Sequence, residues 1–136
     1  VAVSKAGKKV KTIIESKLKE VQQSFKAEEE ALMVLQQEIE KKSSVWSEEV
    51  KAQKIRDFNI KKRDLKQKTD DARFEMRQLE KKELQPVLKK LDEVVKAYGE
   101  KNGYTIIFDI KAGVLFLDRK IDVTNQLIEE MDKVTN

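Results

Sequence analysis

Lys41-Lys42-Ser43-Ser44-Val45-Trp46-Ser47-Glu48-Glu49 is the stretch that decides the fold. Two lysines suit the C-terminal end of one helix and two glutamates the N-terminal end of the next, because the helix dipole leaves partial negative charge at the first and positive at the second. Ser44 or Ser47 can cap the second helix by accepting a backbone N–H. The stretch therefore reads as a turn between two long helices. It contains no Gly or Pro, so one uninterrupted helix is the competing reading.

The flanks favour the turn. Upstream, steps of four and three from Ile14 give Ile14, Leu18, Val21, Phe25, Glu28, Leu32, Leu35, Ile39, Lys42 and Trp46, of which eight of ten are apolar. This is a heptad seam with gaps at Glu28 and Lys42. Downstream, Ile55, Phe58, Lys62, Leu65, Thr69, Ala72, Met76 and Leu79 form a second seam, weaker and interrupted by Lys62 and Thr69. Residues 8–42 give an arm of about 52 Å at ~1.5 Å per residue. Residues 48–85 return by a similar length, and Pro86 is expected to mark where the arm meets a body, by kinking or restarting the helix. Seams this lightly filled predict soft arms that bend and splay.

Composition agrees with long helices. Charged residues make up 40%, aromatics 6%, and there are only 4 Gly and 1 Pro. Such a chain is helical or disordered, and the regular apolar spacing argues for helix. There is no His and no Cys. The usual nucleophile, general base and soft metal ligands are thus missing, and the carboxylates sit among lysines on helical faces. The expectation is a protein that is not an enzyme, with no catalytic, cofactor or metal site. No apolar run approaches ~20 residues, so no membrane span is expected. No signal peptide is visible, and the start at Val1 reads as a mature or trimmed product.

After Pro86 the pattern changes. Val87, Leu88, Leu91, Val94, Val95 and Tyr98 predict a short amphipathic helix ended by Gly99 and Asn102-Gly103. Tyr104-Thr105-Ile106-Ile107-Phe108-Asp109 reads as a strand, Lys111-Ala112-Gly113 as a turn, and Val114-Leu115-Phe116-Leu117 as the returning strand. Asp122-Val123-Thr124 starts a last helix carrying Leu127, Ile128 and Met131 on one face. The fold class expected is mainly α with a small β element (α+β). It is read as a single domain, 1–136. An antiparallel coiled-coil hairpin arm (8–85, turn near 43–47) would stand on a small oligomerisation body (1–7 and 86–136). Ile106, Ile107, Phe108, Val114, Leu115, Phe116 and Leu117 are apolar on both strand faces. A lone two-stranded hairpin is marginal and leaves open edges, so a second subunit is expected to cover them.

These features together resemble the Skp/OmpH family of periplasmic chaperones. The resemblance is carried by the long charged helices, Pro86, the segments 104–109 and 114–117, and Asp122-Val123-Thr124-Asn125-Gln126-Leu127-Ile128. Ser4-Lys5-Ala6-Gly7-Lys8-Lys9 is similar to the segment leading into that family's first arm. It covers nearly the whole chain, and its most specific part is the strand-turn-strand followed by the Asp-x-Thr helix start. Family members open with an apolar strand; only Val1-Ala2-Val3 precedes Ser4, so that strand is expected to be missing here. No lipopolysaccharide site carries over residue by residue. The resemblance implies a homotrimer shaped like a jellyfish, whose hairpins surround a cavity holding unfolded outer-membrane proteins. It also implies a Gram-negative periplasm, an ATP-independent mechanism and no cofactor.

Two groups of residues are candidates for this work. Ile60 and Phe74 fall off the second seam, two heptads apart on one stripe, and Met33 and Val34 fall off the first. These four are the candidate client-binding side chains. Lys51, Lys54, Arg56, Lys61, Lys62, Arg63, Lys66 and Lys68 stand against Asp57 and Asp64, a local balance of 8 − 2 = +6 within a chain of net +4. This basic patch near the arm tips could attract acidic clients or dock on anionic lipid. The competing classes are a basic coiled-coil nucleic-acid binder and a structural coiled coil. Numerous acidic residues and the lack of a base-reading motif disfavour the first. The apolar strand pair is unexplained by the second. A prefoldin-like chaperone would carry its strands between the long helices, not after them.

Overall fold

A computed structural model describes residues 2–135. The expected opening segment 1–7 includes Val1, which lies outside the described residues. Helix α1 spans Lys5–Lys42, α2 spans Glu48–Asn102 and α3 spans Thr124–Val134, with a 3-10 turn at Arg119–Ile121. The chain is mainly α, as the seams predict. It divides into two compact units, one of Ile14–Gln78 and one of Val1–Ile13 with Leu79–Asn136.

The hairpin unit, 14–78, is an antiparallel helix pair. Lys54 Nζ lies 3.3 Å from Glu38 and Lys68 Nζ lies 2.6 Å from Glu28. These cross-helix pairs fix the register. Glu28, a polar gap in the first seam, stays exposed and meets a lysine of the other helix. Thr69, a gap in the second, turns its hydroxyl onto the Leu65 carbonyl at 2.8 Å, satisfying itself within its own helix. Val21, Phe25, Leu32, Leu35 and Ile39 face Phe58, Leu65, Ala72 and Met76 as half-buried stripes. No described residue of this unit is fully buried.

The reversal occupies 43–47, so the single uninterrupted helix is excluded. It needs no left-handed residue; among the described residues the positive φ values are at Gly103 and Gly113. Serines do the work instead. Ser43 N–H continues the ladder to the Ile39 carbonyl at 3.1 Å. Ser47 Oγ accepts the Val50 N–H at 3.3 Å while its carbonyl accepts Lys51 N–H at 2.9 Å, an N-cap.

The second unit holds the buried core: Ala6, Val10, Val87, Val94 and Met131, with Ser4 and Gly7 at the start of α1 and Gly99 near the end of α2. Ser4 caps α1 by accepting the Gly7 N–H at 3.2 Å. The Lys5 N–H, which no residue of its own helix can accept, donates to Asp132 Oδ1 of α3 at 2.7 Å. The two ends of the chain are thus joined across 127 positions.

Two sequence expectations are corrected in this unit. Pro86 does not restart a helix: α2 runs through it from Glu48 to Asn102. Pro removes one backbone donor, and the burial of Val87 and Val94 just beyond it holds the helix together. The separate short helix expected after Pro86 is the last part of α2. The expected strands at 104–109 and 114–117 do not form: no strand is found among the described residues. The turn between them does form, with Ala112 N–H on the Asp109 carbonyl at 2.9 Å and Gly113 at φ +90°. A two-stranded ladder with both edges open has too few partners to stand alone, and here the segments run as irregular backbone. The α2 terminus matches its expectation. Gly103 at φ +71° follows Asn102, and Tyr104 N–H reaches the Gly99 carbonyl while Gly103 N–H reaches that of Glu100, a Schellman closure.

Three outcomes are expected in thermal or urea unfolding. Met131 is 2% exposed, and Met131→Ala should lower stability by about 3 kcal/mol. Gly103→Ala should cost about 1 kcal/mol, because a Cβ is strained in the left-handed region whatever the space. Gly99→Ala should instead be neutral or slightly stabilising. Its Cβ would stand 3.5 Å from Ile107 Cδ1, ordinary contact, and Ala favours helix by up to about 1 kcal/mol.

Candidate functional site

The hairpin unit keeps its off-seam apolar residues in solvent. Met33, Val34, Ile60 and Phe74 are all exposed, from 43% at Ile60 to 64% at Val34. Their neighbours Leu32 and Leu35 are half-buried, so the exposure follows from helical phase and not from loose chain. The ion pairs Glu38–Lys54 and Glu28–Lys68 bracket the middle of the hairpin. Interpolating between them puts Val34 level with Ile60. Phe74 lies 74 − 60 = 14 residues further along α2, about 21 Å at ~1.5 Å per residue. The structure thus gathers Met33, Val34 and Ile60 at one level and sets Phe74 apart. Shallow grooves flank Ala72 on both sides, each lined also by Val21 and Phe25, because the small Ala72 side chain underfills the seam.

The eight basic residues do not act as one free patch. Lys54 pairs with Glu38 and sits 5.7 Å above the Trp46 ring. Lys68 is held by Glu28, Arg63 by Asp64 at 3.3 Å, and Lys62 lies 6.0 Å over the Phe58 ring. Lys51, Arg56, Lys61 and Lys66 make no ion pair within 4.0 Å among the described residues. The nearby Asp57 is engaged by the Gln53 amide at 2.8 Å instead. Half of the local charge is therefore used for the hairpin itself; of the other half, Arg56, Lys61 and Lys66 are exposed and Lys51 is half-buried.

In the other unit, the seven apolar residues of 106–117 separate by environment. Ile107, Val114 and Leu117 are half-buried. Ile106, Phe108, Leu115 and Phe116 are exposed, Leu115 completely and Phe116 at 85%. Ile110 and Ile121 are also exposed; the reading of the sequence missed them because both lie beside turns. Three aspartates shape this segment in the same way. Asp109, Asp118 and Asp122 accept the backbone N–H of Lys111, Lys120 and Thr124, at 2.9, 3.0 and 2.9 Å. Each makes an Asx turn. Tyr98 and Tyr104 stack with centroids 5.9 Å apart, pinning the start of the segment to the end of α2.

Six titratable groups are shifted by their local surroundings. The Thr124 hydroxyl and amide both donate to Asp122 and hold its carboxyl below the usual range. The Lys90 hydrogen bond lowers Glu93, and that of Lys133 lowers Glu130. Lys96 and Lys133 are raised by their bonds to Asp92 and Glu130, and partial desolvation raises Tyr98. Each of these shifts moves a group further from neutral pH, the reverse of what a proton-transfer residue requires. Among the described residues no helix is long and apolar enough to cross a membrane.

For Asp122 the sign follows from the depressed folded value. Its contribution is fully present above the unfolded carboxylate range, about pH 4, and is lost as pH falls through the lower folded value. Asp122→Ala should therefore lower the melting temperature at pH 7, with the difference from the parent chain shrinking to nothing under strongly acid conditions. Far-UV circular dichroism melts across that range check it; a constant difference would show that the carboxylate charge is irrelevant.

Comparison with known proteins adds one finding. A family profile described as OmpH, Outer membrane protein (OmpH-like), matches residues 1–131. No curated protein and no solved structure matches the chain significantly.

Proposed function

The chain belongs to the OmpH-like family, a family of periplasmic chaperones for outer-membrane proteins, and from that premise we propose that it is an ATP-independent periplasmic holdase. It binds unfolded outer-membrane proteins in a cavity between helical hairpins and keeps them from aggregating. The observation that carries this reading is the hairpin unit. A charged helix pair with no fully buried residue holds Met33, Val34, Ile60 and Phe74 out in solvent. Charge keeps such a surface soluble, and scattered apolar side chains offer many weak contacts. A client held by several of them cannot leave at once, yet can still move.

The same reading makes the protein a homotrimer. Ile106, Phe108, Leu115 and Phe116 stand exposed on one segment of the chain, and exposed apolar area of this kind favours a protein partner. In the assembly, 104–109 and 114–117 would gain the strand partners that the single chain does not provide. Lys51, Arg56, Lys61 and Lys66 are available for anionic lipid. The nucleic-acid reading is weakened by Lys54 and Lys68, which are engaged by Glu38 and Glu28. Without a catalytic or cofactor role for any residue, binding alone is the activity proposed.

Light scattering with mass measurement tests the proposal directly. Diluting an urea-unfolded outer-membrane β-barrel protein into the chain should suppress its aggregation and yield a complex of three copies with one client. Continued aggregation at excess chaperone would sink the reading. Ile60→Ser with Phe74→Ser should speed client release by about tenfold, given the transfer value of such side chains; an unchanged release rate would remove these residues from the contact surface.

A further inference from the structure

The chain carries three methionines, Met33, Met76 and Met131, and the fold gives each a different environment. Met131 is 2% exposed in the core of its unit. Met76 is half-buried in the seam of the hairpin unit, where it lines a groove with Leu18, Phe25 and Ala72. Met33 is 55% exposed. The residues three and four positions to either side of it, Glu29, Glu30, Gln36 and Gln37, are polar and exposed. Leu32 and Leu35 carry the packing of this stretch, so the hairpin does not need Met33 for its own seam. Met33 stands instead at the level of Val34 and Ile60, on the surface read above as client-binding.

We propose that Met33 is a reversible oxidation site through which peroxide loosens the hold of the hairpin on its clients. A thioether is polarisable and adaptable, and suits a surface that meets many different apolar side chains. With no Cys in the chain, methionine sulfur is the group that a peroxide converts reversibly. The sulfur lone pair attacks one oxygen of hydrogen peroxide. The S–O bond forms as the O–O bond breaks, and the displaced hydroxide takes the proton from the transferred oxygen and leaves as water. Sulfur loses two electrons and the peroxide gains them. The product is a sulfoxide, polar where a client needs an apolar partner, and a sulfoxide reductase restores the thioether. Because Met33 is exposed on a folded helix, its oxidation removes no buried contact, and binding weakens while the fold stays. Met76 is partly shielded by the seam, and Met131 is reached only when the core opens. The inference rests on the client-binding reading above and deepens it by giving one of its four residues a regulatory chemistry.

The full chain is treated with hydrogen peroxide, and peptide mass spectrometry follows each methionine. Met33 should be oxidised about tenfold faster than Met131, whose sulfur waits on opening of the core, with Met76 between them. Circular dichroism should be unchanged when Met33 alone is converted. At that point the chain should release an unfolded β-barrel protein about fivefold faster than the untreated parent, in line with the partial loss of one side-chain transfer. Met33→Leu should release client as the untreated parent does, both before and after peroxide. Met33→Gln, polar and unbranched, should release it fast without peroxide. Equal oxidation rates at Met33 and Met131 would overturn the site. Unchanged release with Met33 converted, or equal acceleration in peroxide-treated Met33→Leu, would overturn the regulation and leave the holdase reading standing. Aggregation suppression by the untreated chain is measured first. Its absence would sink the holdase reading and the regulation together, before any oxidant is added, so the two failures stay distinct.

Discussion

Two helices laid side by side can bury only the stripe along which they touch. That constraint governs residues 14–78. Val21, Phe25, Leu32, Leu35 and Ile39 on α1 meet Phe58, Leu65, Ala72 and Met76 on α2, yet all remain only partly covered. With no third layer, polar residues can stand in the seam at small cost, because each still reaches water. Glu28 does so and gains Lys68; Glu38 and Lys54 are similarly half-covered. Exposed pairs of this kind are each worth little energetically. Their consequence is positional: they set which residues of the two helices stand level.

The other unit answers the same constraint with more layers. The first turns of α1, the last turns of α2, and α3 enclose Ala6, Val10, Val87, Val94 and Met131. The contributors come from both ends of the sequence. The Lys5–Asp132 hydrogen bond closes a loop of nearly the entire chain, a contact of high sequence separation that forms late and slowly relative to helices. Small as it is, this core leaves Ile106, Phe108, Leu115 and Phe116 outside. The capacity to bind other chains follows from that incompleteness.

Charge serves two purposes in one sequence. Lys54, Lys68 and Arg63 neutralise acids within the hairpin, whereas Arg56, Lys61 and Lys66 are exposed and make no ion pair within 4.0 Å among the described residues. Nothing in the linear order of the basic residues separates the two sets. Their partners do, and those partners are 16 and 40 residues distant for Lys54 and Lys68.

What the sequence determined by itself is whatever depends on near neighbours. Heptad spacing placed both long helices, serines and flanking charges placed the reversal, Gly103 ended α2, and Asp122-Val123-Thr124 began α3. Exposure of Met33, Val34, Ile60 and Phe74 was legible too, since helical phase alone sets it. Only the tertiary structure decided the rest. Pro86 stays inside a helix because Val87 and Val94 are buried beyond it. The β-prone segments after Gly103 remain unpaired because a ladder needs partners that propensity cannot supply. Lys5 and Asp132 become a closure, and Glu28 becomes half of an ion pair, because distant residues arrive there. Periodicity and capping are properties of a few adjacent residues; burial and pairing belong to residues that only the fold brings together.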